Sequence, residues 1–242
     1  MSAILAFEKI SKRFGAVVVA DGIDLALGDG EALGIIGPNG AGKSTLFGIA
    51  SGTVAPDSGR VLFAGTDITL VAPDKRCRMG IGRSFQIPQP FNGMSVFENL
   101  VVAAAFGGGR GERDAYPRCI ELLEQCGLAD KANRAAGRLT LLDRKRLELA
   151  RALATQPRLL LLDEVAGGLT EHECTALVDL IRSIHRSGVS IIWIEHVVHA
   201  LIAVVDRLLV LHGGGFIGEG DPKIVIKSAA VREIYMGIPA DA

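Results

Sequence analysis

Residues 37 to 44 read Gly37-Pro38-Asn39-Gly40-Ala41-Gly42-Lys43-Ser44 and match the pattern G-x-x-x-x-G-K-[ST] at every position. The match directly follows the apolar run Ala32 to Ile36, and a helical pattern, Lys43 to Ala50, continues from it. Glycines let the backbone curl so that successive N–H groups face one point, and the start of a helix adds partial positive charge. The stretch therefore predicts an α/β fold in which a phosphate-binding loop joins a strand to a helix.

Three side chains at the end of this loop have predicted roles in binding a nucleotide. Lys43 is expected to bridge the β- and γ-phosphates, Ser44 to offer its hydroxyl oxygen to Mg²⁺, and Thr45 to donate to an α-phosphate oxygen. The alternative is a glycine-rich turn with a coincidental lysine. The strand before the loop and the helix after it disfavour that alternative.

The rest of the chain alternates between strand-like and helix-like segments, which predicts a wound α/β sheet. A helical segment over Glu173 to Ser187 fits this alternation, and a helical insert is expected over Met94 to Phe106 and Ala115 to Gly127. Several of its short β-branched or aliphatic runs are apolar throughout, as buried parallel strands are; the runs are Ile4 to Phe7, Val17 to Ala20, Ala32 to Ile36, Leu159 to Leu162, Ser190 to Ile194 and Leu208 to Leu211.

Composition and charge exclude several classes of protein. The chain has 242 residues, 49% of them hydrophobic, and a net charge of -1, so it can bury one full core and offers no basic surface for nucleic acid. No apolar run approaches the roughly 20 residues that cross a bilayer, and the opening residues lack an uninterrupted apolar core, so we expect a cytoplasmic protein. The spacing of Cys77, Cys119, Cys126 and Cys174 indicates reduced thiols.

A second motif is the apolar run Leu159 to Leu162, which ends in Asp163 and Glu164. This order places Asp163 to hold Mg²⁺ through water and Glu164 to polarise an attacking water, as a hydrolase site requires. An apolar strand that ends in two acids is, on its own, more often a strand that leaves the core. The phosphate-binding loop at Gly37 makes the hydrolase interpretation the favoured one.

Three further residues complete a familiar order of motifs: Phe14 in SKRFGAVVVA, Gln86 in GRSFQ, and His196 after the run Ser190 to Glu195. Over nearly its whole length the chain resembles the ABC transporter ATPases, and most closely those of branched-chain amino acid importers. The resemblance implies that Phe14 stacks on adenine, that Gln86 senses Mg²⁺ and the γ-phosphate, and that His196 orders the attacking water. The alternatives are an ordinary core or edge position for Phe14 and a zinc pair of His196 with His199.

The same resemblance implies the architecture and the partners. It predicts a P-loop NTPase (RecA-like) core with an antiparallel β subdomain and an α-helical subdomain, in one nucleotide-binding domain over residues 1–242. Residues 1–85 and 155–242 would form the core, and residues 86–154 the helical subdomain. ATP and Mg²⁺ are the implied cofactors. The implied partners are membrane permease subunits on the inner face of the plasma membrane, a second ATPase subunit or a second copy of the chain, and indirectly a substrate-binding protein. The stretches Phe85 to Gly107 and Val231 to Gly237 resemble the importer group in particular.

The chain departs from the family where the L-S-G-G-Q signature is expected, because residues 139–143 read Leu-Thr-Leu-Leu-Asp. In ABC dimers this segment meets the γ-phosphate held by the other subunit. Thr140 keeps a hydroxyl and is expected either to contact ATP or to cap a helix, with Asp143 completing an approximate capping box. Lys145, Glu148 and Arg151 in that helix are expected to lie toward solvent. Val165 also replaces the usual proline after Glu164.

The favoured interpretation is an ATPase subunit of an amino acid importer, in which Glu164 is the base and Gln86 and His196 monitor the γ-phosphate. Two alternatives stay open. The altered signature is compatible with a non-hydrolysing or weakly hydrolysing regulatory subunit paired with an active ATPase. A soluble ABC ATPase outside transport is the other, although the chain lacks the second cassette or long coiled-coil insertion usual in that class. The residues do not identify the transported substrate or the dimer partner.

Overall fold

The computed structural model describes residues 3–229 and residue 231, so the importer-like stretch Val231 to Gly237 lies outside the described residues apart from its first position. The fold is centred on a six-stranded sheet with the strand order β10-β9-β3-β8-β7-β6. Its strands are β3 (Ala32–Ile36), β6 (Ile81–Arg83), β7 (Leu159–Asp163), β8 (Ser190–Ile194), β9 (Arg207–His212) and β10 (Gly215–Gly220).

The middle of this sheet is parallel, because β3 pairs in parallel with both β8 and β9, and β7 pairs in parallel with β8 and β6. Every residue of β3, β7 and β8 is buried, as expected when both faces of a sheet are covered. Alternate side chains of one strand enter different cores: Ala32 and Ile36 pack on one face, Leu33 and Ile35 on the other. The strands predicted at these three places are confirmed.

A second, four-stranded sheet is antiparallel and has the order β2-β1-β4-β5. Its buried side chains, among them Leu5 and Phe63, share a core with Leu46 of the first helix and with Leu33 of β3. The antiparallel sheet thus covers one face of the central sheet. Its strands are β1 (Ala3–Phe14), β2 (Val17–Gly28), β4 (Ser58–Phe63) and β5 (Thr66–Asp67).

The helices cover the remaining surfaces of the central sheet. One follows the glycine-rich loop, several form the middle of the chain, and the longest, which contains Leu177 and Ile181, packs on the face opposite the antiparallel sheet. Their bounds are α1 (Lys43–Ser51), α2 (Pro73–Met79), α3 (Val96–Val102), α4 (Glu112–Gln125), α5 (Leu141–Ala154), α6 (Glu171–Arg186), α7 (Val198–Ile202) and α8 (Pro222–Val225). Within the described residues, no helix is both long and apolar enough to cross a bilayer.

The helical insert differs in detail from the prediction over Met94 to Phe106. The α-helix begins only after Ser95, whose side chain accepts a hydrogen bond from the Glu98 backbone in a capping box. The chain then widens into a π-helical turn at Ala103–Gly107. Periodicity of apolar residues predicts a helix but cannot distinguish an α-helical turn from a π-helical one, which accounts for the difference.

The prediction that the charged residues of α5 point to solvent is wrong for two of them. Lys145 is 4% exposed and Glu148 is 5% exposed, whereas Arg151 is partly exposed. Helix α5 contacts α3 and α4 on one side and strand β6 on another, so nearly its whole circumference is covered. An amphipathic pattern identifies only the most apolar stripe of a helix, and it says nothing about a second covered side. Glu148 is compensated by Arg151 at 3.0 Å.

Candidate functional site

The glycine-rich loop lies at the carboxyl end of β3 and leads into α1. Gly42 precedes the helix in the left-handed conformation, with φ 102°, and a Cβ placed there would lie 2.4 Å from the carbonyl oxygen of Val19. A Cβ on Gly37 would lie 2.3 Å from the carbonyl oxygen of Leu211. Only glycine fits at either position, so the loop holds its backbone close against two neighbouring segments.

Lys43 is the first residue of α1 and is buried beneath this loop. Its Nζ donates to the carbonyl oxygens of Gly37 at 2.7 Å and Pro38 at 3.1 Å. Burial lowers the pKa of Lys43, while the negative charges of Glu164 and Asp163 act to raise it. Ser44 is exposed and Thr45 partly exposed in the same first turn, where backbone N–H groups have no partner within the helix. The arrangement suits a polyanion bound over the start of α1.

The two acids lie where the sequence places them, at the end of β7. Asp163 is the last residue of the strand and is buried, and burial raises its pKa. The guanidinium of Arg83, from the end of β6, lies 3.1 Å from Asp163 and acts to lower that pKa. Arg83 also lies over the rings of Phe47 and Phe85. Arg83 is a site residue that the motifs do not predict, although its place within GRSFQ at a strand end is a signal for it.

Glu164 joins the two other predicted catalytic residues. Gln86 Nε2 donates to one oxygen of its carboxylate at 2.5 Å, and His196 Nε2 donates to the other at 2.8 Å. Glu164 has a left-handed backbone with φ 47°, uncommon outside glycine, at the point where the chain leaves β7. Residues that follow β6, β7 and β8 therefore converge on one carboxylate, because parallel strands end at the same edge of a sheet.

The remaining predicted residues lie at separate places. Phe14 ends β1 and is 52% exposed, which excludes a core position, and Lys12 Nζ lies 5.3 Å from its ring centre. Thr140 is the N-cap of α5 and accepts a hydrogen bond from the Asp143 backbone N–H at 3.3 Å. The expected reciprocal half of the capping box is not formed, because the Asp143 carboxylate pairs with Lys131 at 2.9 Å.

The donor set fits Mg²⁺ better than a transition metal. Among the described residues no group of three histidines, cysteines or acids is positioned to hold a metal ion by itself. Mg²⁺ is commonly held by one or two carboxylates together with substrate phosphates and water, and Ser44 with Asp163 supplies such oxygens. Among the described residues, His196 and His199 belong to no cluster that could hold zinc. Nε2 of His196 is instead hydrogen-bonded to Glu164.

A buried parallel sheet, a glycine loop at its carboxyl edge, and acids on the neighbouring strand define a nucleotide-binding ATPase cassette. The profile of the family described as ABC transporter matches residues 20–167. The chain therefore belongs to the ABC transporter family and is one of its ATP-binding subunits, an ATPase by class.

Individual relatives match nearly the whole chain. The "High-affinity branched-chain amino acid transport ATP-binding protein LivG" of Escherichia coli is 33% identical over 97% of this chain and 98% of its own length. The corresponding BraF protein of Pseudomonas aeruginosa is also 33% identical, over 97% of this chain and 98% of its own. A solved ATP-binding cassette of an ABC transporter in its ADP conformation is 32% identical and covers 98% of this chain and 100% of its own, with a TM-score of 0.90.

Proposed function

We propose that the chain hydrolyses ATP to drive the uptake of amino acids, specifically branched-chain amino acids, through membrane permease subunits. The observation that carries the proposal is the Glu164 carboxylate, held at one oxygen by Gln86 and at the other by His196. A carboxylate with both a glutamine and a histidine on it, beside a phosphate loop, is suited to activate water. The substrate class is taken from the names of the relatives LivG and BraF.

The residues act on the nucleotide in defined places. Lys43 and the N–H groups of the loop would bind the β- and γ-phosphates, and Ser44, Asp163 and Gln86 would hold Mg²⁺. When bound, Mg²⁺ neutralises charge on the phosphate oxygens. Glu164 accepts the proton of the attacking water, and His196 orders that water and contacts the γ-phosphate. Phe14, exposed at the end of β1, stacks on adenine. Electrostatic stabilisation of the transition state by these fixed charges and dipoles accounts for most of the rate enhancement.

The complete site is proposed to require a second subunit. Thr140 and the N–H groups at the start of α5 would face ATP on the partner's phosphate loop. Leu141 is half exposed and adds bulk there. Its side chain lies close to Gly168, because a Cβ on that glycine would be 3.4 Å from the Leu141 Cδ2 atom. We propose a heterodimer in which this subunit pairs with a second ATPase that carries a regular signature. A homodimer that tolerates the change is the rival arrangement.

Placement at the membrane follows from the same proposal. We assign residues 86–154 as the helical subdomain that docks on the permease at the cytoplasmic face, and residues 1–85 and 155–242 as the core. Exposed apolar side chains on that segment, Ile87, Phe91 and Phe106, support this assignment. A binding protein outside the membrane would deliver the amino acid.

The decisive experiment measures Mg-ATP hydrolysis and ATP binding by the purified protein and by Glu164→Gln, each alone and with its partner ATPase and permease. We expect Glu164→Gln to keep ATP affinity and lose at least about 100-fold in turnover. Glu171→Gln, an exposed acid at the start of α6, is the matched control and should hydrolyse normally. Absence of turnover in every pairing would replace the proposal with the regulatory subunit that the altered signature favours. Leucine uptake into proteoliposomes, with urea as the comparison solute, tests the substrate class.

A further inference from the structure

One buried acid has no part in the proposed chemistry. Glu195 directly follows β8, is 1% exposed, and lies within 4 Å of no cationic side chain in the described part of the chain. An ionised carboxylate in such a place is costly unless its oxygens accept hydrogen bonds. The bonds that satisfy it therefore indicate why an acid occupies this position.

Backbone N–H groups of two different segments provide those bonds. Glu195 Oε1 accepts from Ala166 N at 2.6 Å, and Oε2 accepts from His196 N at 2.9 Å and Val197 N at 3.4 Å. Ala166 lies two residues beyond Glu164 on the chain that leaves β7. One carboxylate thus ties the segment that carries Glu164 to the segment that carries His196.

A buried lysine approaches the same place from α5. Lys145 Nζ donates to the backbone carbonyl oxygen of Glu164 over 3.4 Å, and its charge interacts with those of Glu195 and Glu164. Lys145 is buried although the pattern of the helix predicted exposure. Its ammonium group offsets part of the cost of burying Glu195. It also joins the catalytic segment to the helix that begins after Thr140.

We propose that Glu195 is a positioning residue that fixes Glu164 and His196 relative to each other, with Lys145 as its counter-charge. This inference rests on the proposed function, since it concerns the alignment of the same site. The carboxylate is required because it only accepts hydrogen bonds, and here N–H donors approach both of its oxygens. An amide in its place would present an NH₂ group to one of these donors and release either Ala166 or His196.

The test compares the full-length protein, assembled with its partner subunits, with Glu195→Gln. We expect kcat to fall about 10- to 100-fold with KM for ATP changed less than about twofold, because misplacement of reacting groups lowers turnover without loss of phosphate contacts. Glu31→Gln is the control, since Glu31 also accepts a backbone N–H and pairs with Arg207, but at the opposite end of β3. It should hydrolyse as the parent does.

A second background separates positioning from a general structural role. In His196→Ala, adding Glu195→Gln should lower kcat by less than about threefold, because the alignment of His196 is already lost. Equal losses in both backgrounds would overturn the inference. If Glu195→Gln does not fold, Lys145→Met takes its place, and an unchanged kcat in that variant overturns the inference as well.

Amide hydrogen exchange gives a readout that does not depend on turnover. Exchange at Ala166 and His196 should rise at least about tenfold in Glu195→Gln and stay unchanged in Glu31→Gln. If the parent hydrolyses ATP and Glu195→Gln has the same kcat, this inference is overturned and the proposed function stands. Absence of turnover in the parent overturns the proposed function, and unchanged exchange at both amides then overturns the tie between the segments as well.

Discussion

Replacing Arg76 by methionine is expected to cost the protein several kcal/mol of stability. Arg76 is 1% exposed and donates to the carbonyl oxygens of Val71 at 2.8 Å, Ile49 at 2.6 Å, Ala50 at 2.9 Å and Thr69 at 2.9 Å. Ile49 and Ala50 belong to the last turn of α1, whose carbonyls lack partners within the helix. The guanidinium therefore acts as a buried C-terminal cap for the helix that carries Lys43.

The magnitude follows from counting these bonds. A hydrogen bond to a charged group contributes about 1.5 to 3 kcal/mol, so the four bonds of Arg76 have a gross value of roughly 6 to 12 kcal/mol. The desolvation of the buried guanidinium costs several kcal/mol and offsets part of that sum. We expect Arg76→Met to lower the free energy of unfolding by about 3 to 5 kcal/mol, or the melting temperature by roughly 6 to 20 °C.

Urea unfolding followed by circular dichroism measures this loss, with the slope of the transition checked for constancy between variants. Arg60→Met is the matched control, because Arg60 is an exposed arginine paired with Glu8 and should change stability by less than about 1 kcal/mol. If the two variants lie within about 1 kcal/mol of each other, the four carbonyl contacts of Arg76 do not support α1 and the reasoning is refuted.

Three further changes test the site and its support. Gly42→Ala should weaken ATP binding about 10- to 100-fold in equilibrium dialysis, because its Cβ meets the Val19 carbonyl oxygen at 2.4 Å. The control Gly40→Ala has open space around its Cβ and should weaken ATP binding by less than about tenfold. Weaker binding by Gly40→Ala than by Gly42→Ala would contradict the clash. Thr140→Ala should lower the melting temperature by about 2 to 4 °C through loss of the cap, and Thr140→Ser should restore it; an unchanged melting temperature would remove the capping role. Burial raises the pKa of the Glu148 carboxyl above its ordinary value of 4.5, so the folded protein binds a proton at Glu148 more readily than the unfolded chain does. The protein therefore loses stability as the pH rises from 4.5 through the raised pKa of the folded state. Urea unfolding should therefore show Glu148→Gln gaining stability over the parent between pH 4.5 and neutrality, and a constant difference would refute the shift.

The buried strands and the loop could be predicted because each carries a pattern of its own. Ala32–Ile36 and Ser190–Ile194 are apolar at almost every position, and the structure begins and ends these strands at the predicted residues. Once those strands are parallel, the residues after them meet at one edge. The closeness of Gln86, Glu164 and His196 is thus a consequence of topology.

Interactions that depend on tertiary burial could not be predicted in this way. Glu195 stands beside His196 in the sequence as an unremarkable acid, and only the path of the segment after Glu164 brings an N–H to its second oxygen. The pattern of α5 predicts Lys145 in solvent, yet the packing of α5 on two sides covers it. The Asp143 carboxylate likewise pairs with Lys131 and does not complete the capping box. Lys131 lies in a separate turn, so the sequence around Asp143 does not indicate this pair.

The position of β3 between β8 and β9 also has a consequence during synthesis of the chain. Leu33 pairs with Ile192 on one side and Arg207 on the other, so the ribosome makes the glycine loop long before its neighbours exist. At 5 to 20 residues per second the delay is roughly 8 to 35 seconds. During that interval both edges of β3 are unpaired, and nascent chains that stop short of β8 carry the phosphate loop without the sheet that shapes it. ATP can therefore stabilise the fold only after β8 and β9 have been made, whereas the strands of the antiparallel sheet are complete by Asp67 and can pair before that.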